Sequence, residues 1–451
     1  MHEWKVQTTT GETLDYGAML WEDGISKQIY ILFLDDPDRD PITNDNIVQE
    51  KFALTQSVCR SGFLSYGDFT ASKVSFTVAG VDESLLGHTI GVYLGIEDDA
   101  DHVLPLGVFT IYEDNLSTDR TQRECVGYDY MYDVINTDMT AWLEEYKTTI
   151  PNGTTLGYFR NAFFDALGID QRYEFINPYY FDADMDNVFK DFIPTGQQVT
   201  GDILLHAILE CLGMVGYIDN SGEFVYKYVG GIEDPSFTYP SNSLFPDGYE
   251  TFPGGRTASL TYTRSMYRDK SLEWADYEVL EPDGVIVRDG NGAILYVTNN
   301  AATNPYTVSA NVIFNESPAW SIQEKAEKIF DVIKGRRYRP FEMDAIGNPC
   351  VEVGDSIDII NKYGDTIETI VMERTLKGIQ TMVDEFTTSG TKYFGTYYTG
   401  AGTTTQRLNN VANKIAAGGG GGGIQVRSVE YLPTNPESNV IYLIQGEVVI
   451  A

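Results

Sequence analysis

Apolar and polar residues alternate one by one through much of the first ~120 residues, and this period of two limits the fold more than any other feature. Residues 74–78 and 90–96 alternate clearly, and 27–34 and 106–112 are further apolar runs. Successive side chains of a strand point to opposite faces, so the pattern predicts sheets with one buried face, as in a barrel or sandwich. Residues 1–122 are predicted to form a first β domain.

The pattern changes to helical spacing after about residue 125. Two helices and a β-hairpin are predicted, at 156–167, 202–212, 215–218 and 223–228. Thr155 can accept hydrogen bonds as an N-cap, and Gly168 and Gly213 suit left-handed helix ends. Residues 123–231 are therefore predicted to be an α/β insertion domain.

Strand patterns return in residues 232–400, which are predicted to form a second β domain with one helix. Its clearest strands are predicted at 351–360, 367–376 and 378–385. The apolar stripe of the helix runs from Ile322 to Ile333, and Ser317 followed by Pro318 is the predicted start, because proline suits the first helical position.

The last part of the chain has a different composition. Residues 401–423 are predicted to be a linker, ending in the unbroken glycine run Gly418–Gly423, which has no capacity to form a core. Residues 424–451 are β-prone and are predicted to form a C-terminal β-hairpin or a docking peptide. A lone two-stranded hairpin is marginal in water, so this segment is expected to pair with another chain.

The charge balance excludes some partners. Lys plus Arg is 31 and Asp plus Glu is 66, giving a net charge of −35. Bound nucleic acid and anionic membranes need clustered basic residues, so neither is expected as a ligand. No signal peptide is visible at the N-terminus, and no apolar run approaches the about 18 residues of a membrane span.

The cysteines indicate synthesis in a reducing cytoplasm. Cys59, Cys125, Cys211 and Cys350 lie far apart in the sequence, without metal-binding or disulfide-framework spacing. No disulfide is expected, and Cys211 is interpreted as a small core residue on the second helix.

No catalytic constellation emerges from the motifs. The histidines are scattered, at His2, His88, His102 and His206, and no zinc-protease, nucleophile-elbow or phosphate-loop motif occurs. His206 lies within a predicted helix, where a structural role is favoured. The sequence predicts no catalytic, cofactor-binding or metal-binding residue and no cofactor.

Three acidic segments are candidate cation sites: 36–40, 98–102 and 182–186. The first and third fail the EF-hand pattern, which needs Gly at position six and Glu at position twelve. Pro41 and Ile47 stand there in the first run, and Asn187 and Ile193 in the third. A non-standard calcium loop in either run stays open, whereas 98–102 is interpreted as a solvated acidic turn.

Several segments, taken in order, resemble the tail-tip or baseplate hub proteins of long-tailed bacteriophages, including the N-terminal hub part of tail-associated proteins. The similar motifs are Phe76–Gly80, Leu104–Phe109 ("PLGVF"), Gly127–Tyr132 ("GYDYMY"), 195–228 with its "IDNSG" turn, Gly347–Pro349 ("GNP"), Glu352–Asp355 ("EVGD") and Arg374 with Gly378. Together they span roughly residues 60 to 390. Each motif is weak alone, and their order is the stronger signal. Residues 431–446 resemble segments that attach tail-fibre parts.

The resemblance implies an α+β, mainly β fold: two β-barrel- or sandwich-like tube domains with an α/β insertion between them and a Gly-linked C-terminal β segment. It implies a homotrimeric ring that continues the tail tube, adapts sixfold to threefold symmetry and forms the DNA exit channel. The implied partners are the distal tail protein or tube hexamer, a tape measure protein in the lumen, and a tail fibre or receptor-binding protein on the C-terminal segment. DNA passes transiently without specific binding.

The resemblance also implies a place in the virion, at the tail tip, after synthesis in the host cytoplasm. Only 28 residues follow the glycine run, so an attached lytic domain is not expected. Two alternatives stay open: a tail-associated cell-wall hydrolase or peptidase, and a host-surface carbohydrate-binding module. Aromatic runs at 179–181 and 397–398 motivate the second.

Overall fold

A single antiparallel sheet of ten strands dominates the computed structural model of the protein. The structure describes residues 5–7, 13–15, 25–60, 64–96, 99–149, 155–172, 198–229, 260–289, 293–309, 311–313, 321–349, 351–393, 425–429, 440–444 and 447–450. The chain divides into two units, Met1–Gly400 and Ala401–Ala451, and each is described by itself. The predicted α+β, mainly β class is confirmed.

The strands of the first unit are β1 (Lys5–Gln7), β2 (Thr13–Asp15), β3 (Lys27–Phe33), β4 (Ala53–Ser57), β5 (Lys73–Ala79), β6 (Thr89–Ile96), β7 (Asp99–Leu116), β8 (Gln122–Tyr128), β9 (Gln171–Arg172), β10 (Val215–Ile218), β11 (Phe224–Lys227), β12 (Leu260–Tyr262), β13 (Glu273–Trp274), β14 (Val285–Arg288), β15 (Ile294–Val297), β16 (Tyr306–Ser309), β17 (Phe341–Ile346), β18 (Ser356–Ile360), β19 (Thr366–Ile370), β20 (Glu373–Lys377) and β21 (Val383–Thr388). The helices are α1 (Met131–Asn136), α2 (Thr140–Thr149), α3 (Leu156–Leu167), α4 (Gly201–Leu212) and α5 (Ile322–Ile333).

The large sheet joins distant parts of the chain. Its order is β13-β17-β21-β20-β4-β5-β8-β7-β6-β3. The junction is the antiparallel pair β20–β4, in which Glu373 lies opposite Ser57 and Lys377 lies opposite Ala53. Strands from both predicted β domains therefore share one sheet. We call β3–β8 the first β unit, and β12, β13 and β17–β21 the second β unit.

The first β unit curls around its own core. Ile29, Phe76 and Phe109 are buried there, together with Leu376 of β20 and Ile379 of the segment linking β20 to β21. Burying each such side chain contributes about 1.5–3 kcal/mol. These contacts explain the alternation found in the sequence, because every second residue of β3 to β8 faces this core.

The last strand, β3, is covered along its outer edge. The Gln380 side-chain amide donates to the Lys27 carbonyl at 2.6 Å and accepts from the Lys27 N–H at 3.0 Å. Asn44 accepts from the Ile29 N–H at 3.0 Å and donates to the Lys27 carbonyl at 2.8 Å. Ile31 and Ile42 exchange two main-chain bonds. The sheet therefore curls until its end meets the β20–β21 connection.

The second β unit packs its four strands of the large sheet near a smaller sheet ordered β12-β18-β19. All three strands predicted here have wrong boundaries. The predicted strand at 378–385 begins only at Val383, because residues 378–382 form the turn after β20, with Gly378 at φ 74°. The predicted strand at 351–360 begins only at Ser356, because residues 351–355 form a turn with Gly354 at φ 84°. The predicted strand at 367–376 is two strands, β19 and β20, which belong to different sheets and are separated by the buried Val371 and Met372.

A buried ion pair lies at the centre of the second β unit. Arg374 Nε donates to Asp384 Oδ1 at 2.7 Å, and the two side chains are 2% and 0% exposed. Arg374 Nη2 also donates to the Asn348 carbonyl at 2.7 Å, and the Asn348 N–H donates to Asp384 Oδ2 at 2.6 Å. Nη1 donates to the Val351 carbonyl. The buried guanidinium and carboxylate groups therefore have hydrogen-bond partners within the protein in place of water.

The α/β module forms largely as predicted. Thr155 caps α3 by accepting from the Tyr158 N–H, and Gly168 ends it at φ 67°. α4 ends at Gly213, at φ 64°, and runs into the hairpin β10–β11. β9 adds to β11 in parallel. Cys211 is buried, as expected, and Cys59, Cys125 and Cys211 are free thiols, whereas Cys350 lies outside the described residues.

The helix α5 begins later than predicted. Ser317 and Pro318 lie outside the described residues, and the N-cap is Ser321. Ser321 Oγ accepts from the Glu324 N–H, and the Glu324 side chain accepts from the Ser321 N–H. This reciprocal pair satisfies two otherwise free N–H groups, and it decides the start of the helix. The helix contacts the small sheet ordered β15-β14-β16.

The second unit contains strands β22 (Gln425–Val429), β23 (Val440–Ile444) and β24 (Glu447–Ile450). β22 and β23 pair in parallel, so they do not form the hairpin that the sequence predicts. β23 and β24 pair antiparallel and form a hairpin instead. The glycine run of the predicted linker lies outside the described residues.

We predict that Asp384→Asn lowers the free energy of unfolding by about 3–5 kcal/mol, because it leaves the Arg374 charge buried without its counterion. The matched control is Glu385→Gln in the same strand, whose pair with Lys377 is exposed; it should cost less than about 1 kcal/mol. Urea denaturation of both variants measures the difference. Equal losses would contradict a central role for the buried pair.

Candidate functional site: the open face of the ten-stranded sheet

The face of the ten-stranded sheet that points away from the cores, which we call the open face, carries a continuous row of mostly polar side chains. Cross-strand pairs trace one row across eight strands of both β units. This row contains Asp344, Glu385, Thr375, Thr55, Lys73, Tyr128, Thr110 and Thr89, all of them half-buried. The next row on this face also contains apolar residues, including Ile346, Val383 and Val126. The neighbouring row, on the other face, is buried and includes Ala345, Leu376 and Val74. The open face therefore carries most of the exposed polar groups of the sheet, and the other face is mainly apolar apart from buried groups such as the Arg374–Asp384 pair.

The open face carries more acid than base. The described strands place seven carboxylates and two lysines on it, a formal charge of 2 − 7 = −5. The carboxylates belong to Glu113, Glu124, Glu273, Glu342, Asp344, Glu373 and Glu385, and the lysines are Lys73 and Lys377. Two of these acids have basic partners, since Asp344 pairs with Arg268 at 3.0 Å and Glu385 pairs with Lys377.

Hydroxyl groups line the middle of the open face. Thr55 and Thr375 lie opposite each other across the β4–β20 junction, with their hydroxyl oxygens 3.2 Å apart. Thr89 and Thr110 repeat the arrangement between β6 and β7. Cross-strand threonine pairs stabilise a sheet without an apolar layer above them. The open face can therefore remain in contact with water along its length.

Three tyrosines border the open face where β7 and β8 meet α1. The Tyr128 and Tyr132 rings stack with centroids 4.8 Å apart, and the Tyr112 ring lies 4.5 Å from Tyr132. The Tyr112 hydroxyl donates to the Asp133 carboxylate. Partial burial raises the pKa of Tyr112, as do this hydrogen bond and the Asp133 charge. Tyrosine is enriched at protein interfaces, so this cluster suits a contact surface.

Motif residues that carry the family resemblance hold the fold together. Asp129 is buried; its Oδ2 accepts from the Ser72 N–H at 2.9 Å and its Oδ1 from the Met131 N–H at 3.0 Å, which fixes the start of α1. Burial raises the pKa of Asp129 to about 7, against these hydrogen bonds. In the "PLGVF" strand, Gly107 has φ 150°, and a Cβ there would lie 2.6 Å from the Phe109 ring.

The "EVGD" motif fastens the α/β module to the second β unit. Lys227 Nζ donates to Asp355 Oδ1 at 2.9 Å and to Glu352 Oε2 at 3.2 Å. The Tyr217 hydroxyl donates to Glu352 at 3.1 Å. Gly354 makes room, because a Cβ there would lie 3.0 Å from the Lys227 stem. Sequence reasoning noted this motif but missed its partners, since Lys227 lies 125 residues from Glu352.

The histidines and acidic runs considered as candidate sites do not form one site in the described part of the structure. His88 Nδ1 lies 3.0 Å from Asp35 and Nε2 lies 3.1 Å from Arg39, whereas His206 is in α4. Asp36, Asp38 and Asp40 are exposed in a loop. His2, the 182–186 run, the aromatic runs, and the side chains of 98–102 lie outside the described residues. The described side chains contain no group of three or more metal-ligating residues, and no described helix is long and apolar enough to cross a membrane.

No family model and no curated protein sequence match the chain. Solved structures of similar fold are tail proteins. The 43 kDa tail protein of prophage MuSo2 from Shewanella oneidensis is 11% identical, with a TM-score of 0.45 over 80% of this chain and 98% of that one. A tail protein from Neisseria meningitidis is 12% identical, with a TM-score of 0.42 over 80% and 96%.

Prophage tail protein gp18 from Listeria monocytogenes is 10% identical, with a TM-score of 0.45 over 86% of this chain and 99% of that one. These three structural neighbours are tail proteins, two of them from prophages, and they cover most of the chain at low similarity.

We predict that Lys227→Met destabilises the protein by about 1–3 kcal/mol, because Asp355 and Glu352 lose the cation they share in a mostly buried site. Lys334→Met is the matched control; its partner Asp331 is exposed, so its loss should stay below about 1 kcal/mol. Thermal and urea unfolding measure both. If the two lysines prove equivalent, the "EVGD" motif does not fasten the module.

Proposed function

We propose that this protein is a structural subunit of a phage tail tip, the hub whose three copies form a ring that continues the tail tube and surrounds the DNA exit channel. The observation that carries the proposal is the continuity of the open face across both β units through the β4–β20 pair. A wall that faces a channel must be polar towards water and apolar towards its own core, as this sheet mainly is.

The proposed ring follows from the number of β units. Each chain supplies two β units side by side in one sheet, so three chains supply six. A tube with sixfold symmetry can then continue into a threefold tip without a change in the number of wall elements. Closed rotational symmetry is the usual arrangement of such assemblies.

The acidic open face suits a channel that conducts DNA without retaining it. Phosphate backbones bind to clustered Lys and Arg, whereas a surface with a formal charge of −5 per chain repels them. A trimer would carry 3 × (−35) = −105 formal charges in total. This charge also keeps free subunits apart before assembly.

The proposed partners follow from the same arrangement. The ring would meet the distal tail protein or the tube hexamer on one side and would hold a tape measure protein in its lumen before ejection. The strands β22–β24 in residues 424–451 offer a segment for a tail fibre or receptor-binding protein. In this proposal the protein has no catalytic role, and its place is the tail tip of the virion.

We expect native mass spectrometry of the full chain to give a trimer of 3 × 50.3 = 150.9 kDa. The measurement should be made at micromolar concentration and near-neutral pH. A monomer of 50.3 kDa under those conditions would count against the ring. A stable dimer would also contradict it, because two copies supply four β units.

We expect the double substitution Glu342→Lys and Glu385→Lys to reduce DNA ejection and the infectious titre of phage that carry it, because two carboxylates of the channel wall become cations that hold phosphate. Both residues lie in strands of the open face. The variant protein should still fold, since surface substitutions usually change stability by about 0.5 kcal/mol or less.

The matched control is Glu144→Lys with Glu145→Lys, which makes the same charge change at exposed positions on α2. Control phage should eject DNA like the wild type. If both pairs act alike, net charge rather than the open face governs ejection. If neither pair has an effect, the open face does not line the DNA path.

A further inference from the structure

A buried carboxyl group lies where three distant segments meet. Glu210 of α4 is 3% exposed. The Tyr306 hydroxyl of β16 lies 3.1 Å from Glu210 Oε1 and 3.0 Å from the Tyr66 carbonyl oxygen. Asn311 Nδ2 donates to Glu210 Oε2 at 2.8 Å and to the Ala207 carbonyl at 3.1 Å. Tyr306 of β16 thus links Glu210 of α4 to the loop that contains Tyr66.

The hydrogen bonds at Tyr306 need one more proton than the tyrosine can supply. A hydroxyl has one proton to donate, and a carbonyl oxygen can only accept. If Tyr306 donates to the Tyr66 carbonyl, its oxygen can meet Glu210 Oε1 favourably only when Glu210 carries a proton. A protonated Glu210 therefore satisfies both short contacts, whereas an ionised Glu210 forces Tyr306 to choose between them.

The loop held by this arrangement is residues 64–69, which lies between β4 and β5 of the first β unit. Its Gly67 N–H donates to the Met214 carbonyl at 2.7 Å, and the Gly216 N–H donates to the Asp68 carbonyl at 3.2 Å. Gly67 has φ 87°, and a Cβ there would lie 2.9 Å from Glu210 Cβ. The loop therefore packs directly against α4 and the start of β10.

We propose that one proton on Glu210 acts as a latch between the first β unit and the α/β module, and that its loss weakens the attachment of loop 64–69 to α4, leaving the His206 Nδ1 bond to the Gly67 carbonyl in place. Deprotonation would make Tyr306 donate to the new carboxylate and release the Tyr66 carbonyl. The main-chain bonds of Gly67 and Gly216 would then lose the side-chain contact that holds the loop in place. This latch is independent of the proposed role in a tail tip.

The charged groups around Glu210 make this proton favourable. Burial raises the pKa of Glu210 to about 8, against the bonds from Asn311 and Tyr306, and the Asp68 charge adds to the rise. Burial also raises the pKa of Asp68 to about 6, although Arg60 lowers it. His206 lies 3.8 Å from Glu210, one turn earlier on α4.

His206 does not supply a compensating cation near neutral pH. Burial lowers the pKa of His206 to about 4, and the charge of Arg60 adds to this, against its bond to the Gly67 carbonyl and the Asp202 charge. Two further cations act on neighbouring groups: the charge of Lys325 of α5 opposes the burial that raises the pKa of Cys211, and the charge of Arg336 does the same for Tyr66. The titratable groups next to Glu210 are thus the Asp68 carboxyl group and the neutral His206 imidazole.

The sign of the pH dependence follows from these directions. A carboxyl whose pKa is raised in the folded state stabilises it fully below the ordinary value of 4.5, and this stabilisation is lost as the pH rises towards about 8. Asp68 acts in the same sense, up to pH of about 6. His206 acts oppositely, because its lowered pKa costs stability as the pH falls from 6.5 to about 4. Above pH 7 Glu210 is the group of this cluster that titrates.

The test is amide hydrogen exchange of the full chain, wild type against Glu210→Gln, at pH 6.5 and pH 9. Gln keeps the shape and stays neutral, so it should hold the loop at both pH values. From pH 6.5 to pH 9 we expect the ratio of wild-type to variant exchange in peptides covering 64–69 and 214–218 to rise about 30-fold, because 1.5 pH units lie between pH 6.5 and the Glu210 pKa of about 8.

Glu342→Gln on the exposed end of the open face is the control and should behave like the wild type. Equal exchange of wild type and Glu210→Gln at pH 9 would overturn the latch. If the Gln variant does not fold, the wild type alone decides: after correction for intrinsic exchange, the 64–69 amides should accelerate from pH 6.5 to 9 relative to β17–β21 amides. An unchanged ratio would overturn the proposal.

Discussion

The pairing of β4 with β20 is the contact on which the rest of the structure depends. It joins Ala53–Ser57 to Glu373–Lys377, strands that more than 300 residues separate along the chain. Without it the two β units would each have an exposed sheet edge, and the open face would be two unrelated surfaces. Closing so long a loop is entropically costly, and the cost is offset by the cores on both sides of the junction.

Two ion pairs stabilise the segments around that junction. Arg374 lies within β20 itself, and its bond to Asp384 ties β20 to β21 inside the second core. Lys227 joins the α/β module to the same β unit through Asp355. Arg374 also binds Asn348 of the "GNP" motif, and Asp355 belongs to the "EVGD" motif. The motifs that suggested a protein class therefore contain residues that make contacts between segments far apart in the sequence.

Local features of the structure were predictable from the sequence, and distant ones were not. Alternation located β3, β5, β6 and part of β7 but not β4 or β8, and Thr155, Gly168 and Gly213 marked helix ends, because caps act within a few residues. The start of α5 predicted from Ser317 and Pro318 was wrong, because the Ser321–Glu324 capping box four residues later decides where the helix begins. The open face could not be predicted, because it depends on register between strands far apart. For the same reason no sequence pattern singles out Glu210, because its partners Tyr306 and Asn311 lie about 100 residues away.

The covered edge of β3 has a consequence for chains waiting to assemble. A bare outer strand is a template on which another chain can add a strand, and repeated addition produces filaments. Here Asn44, Ile42 and Gln380 occupy the outward N–H and C=O groups of β3. Free chains are therefore protected from strand-to-strand polymerisation along the part of this edge that Lys27, Ile29 and Ile31 form.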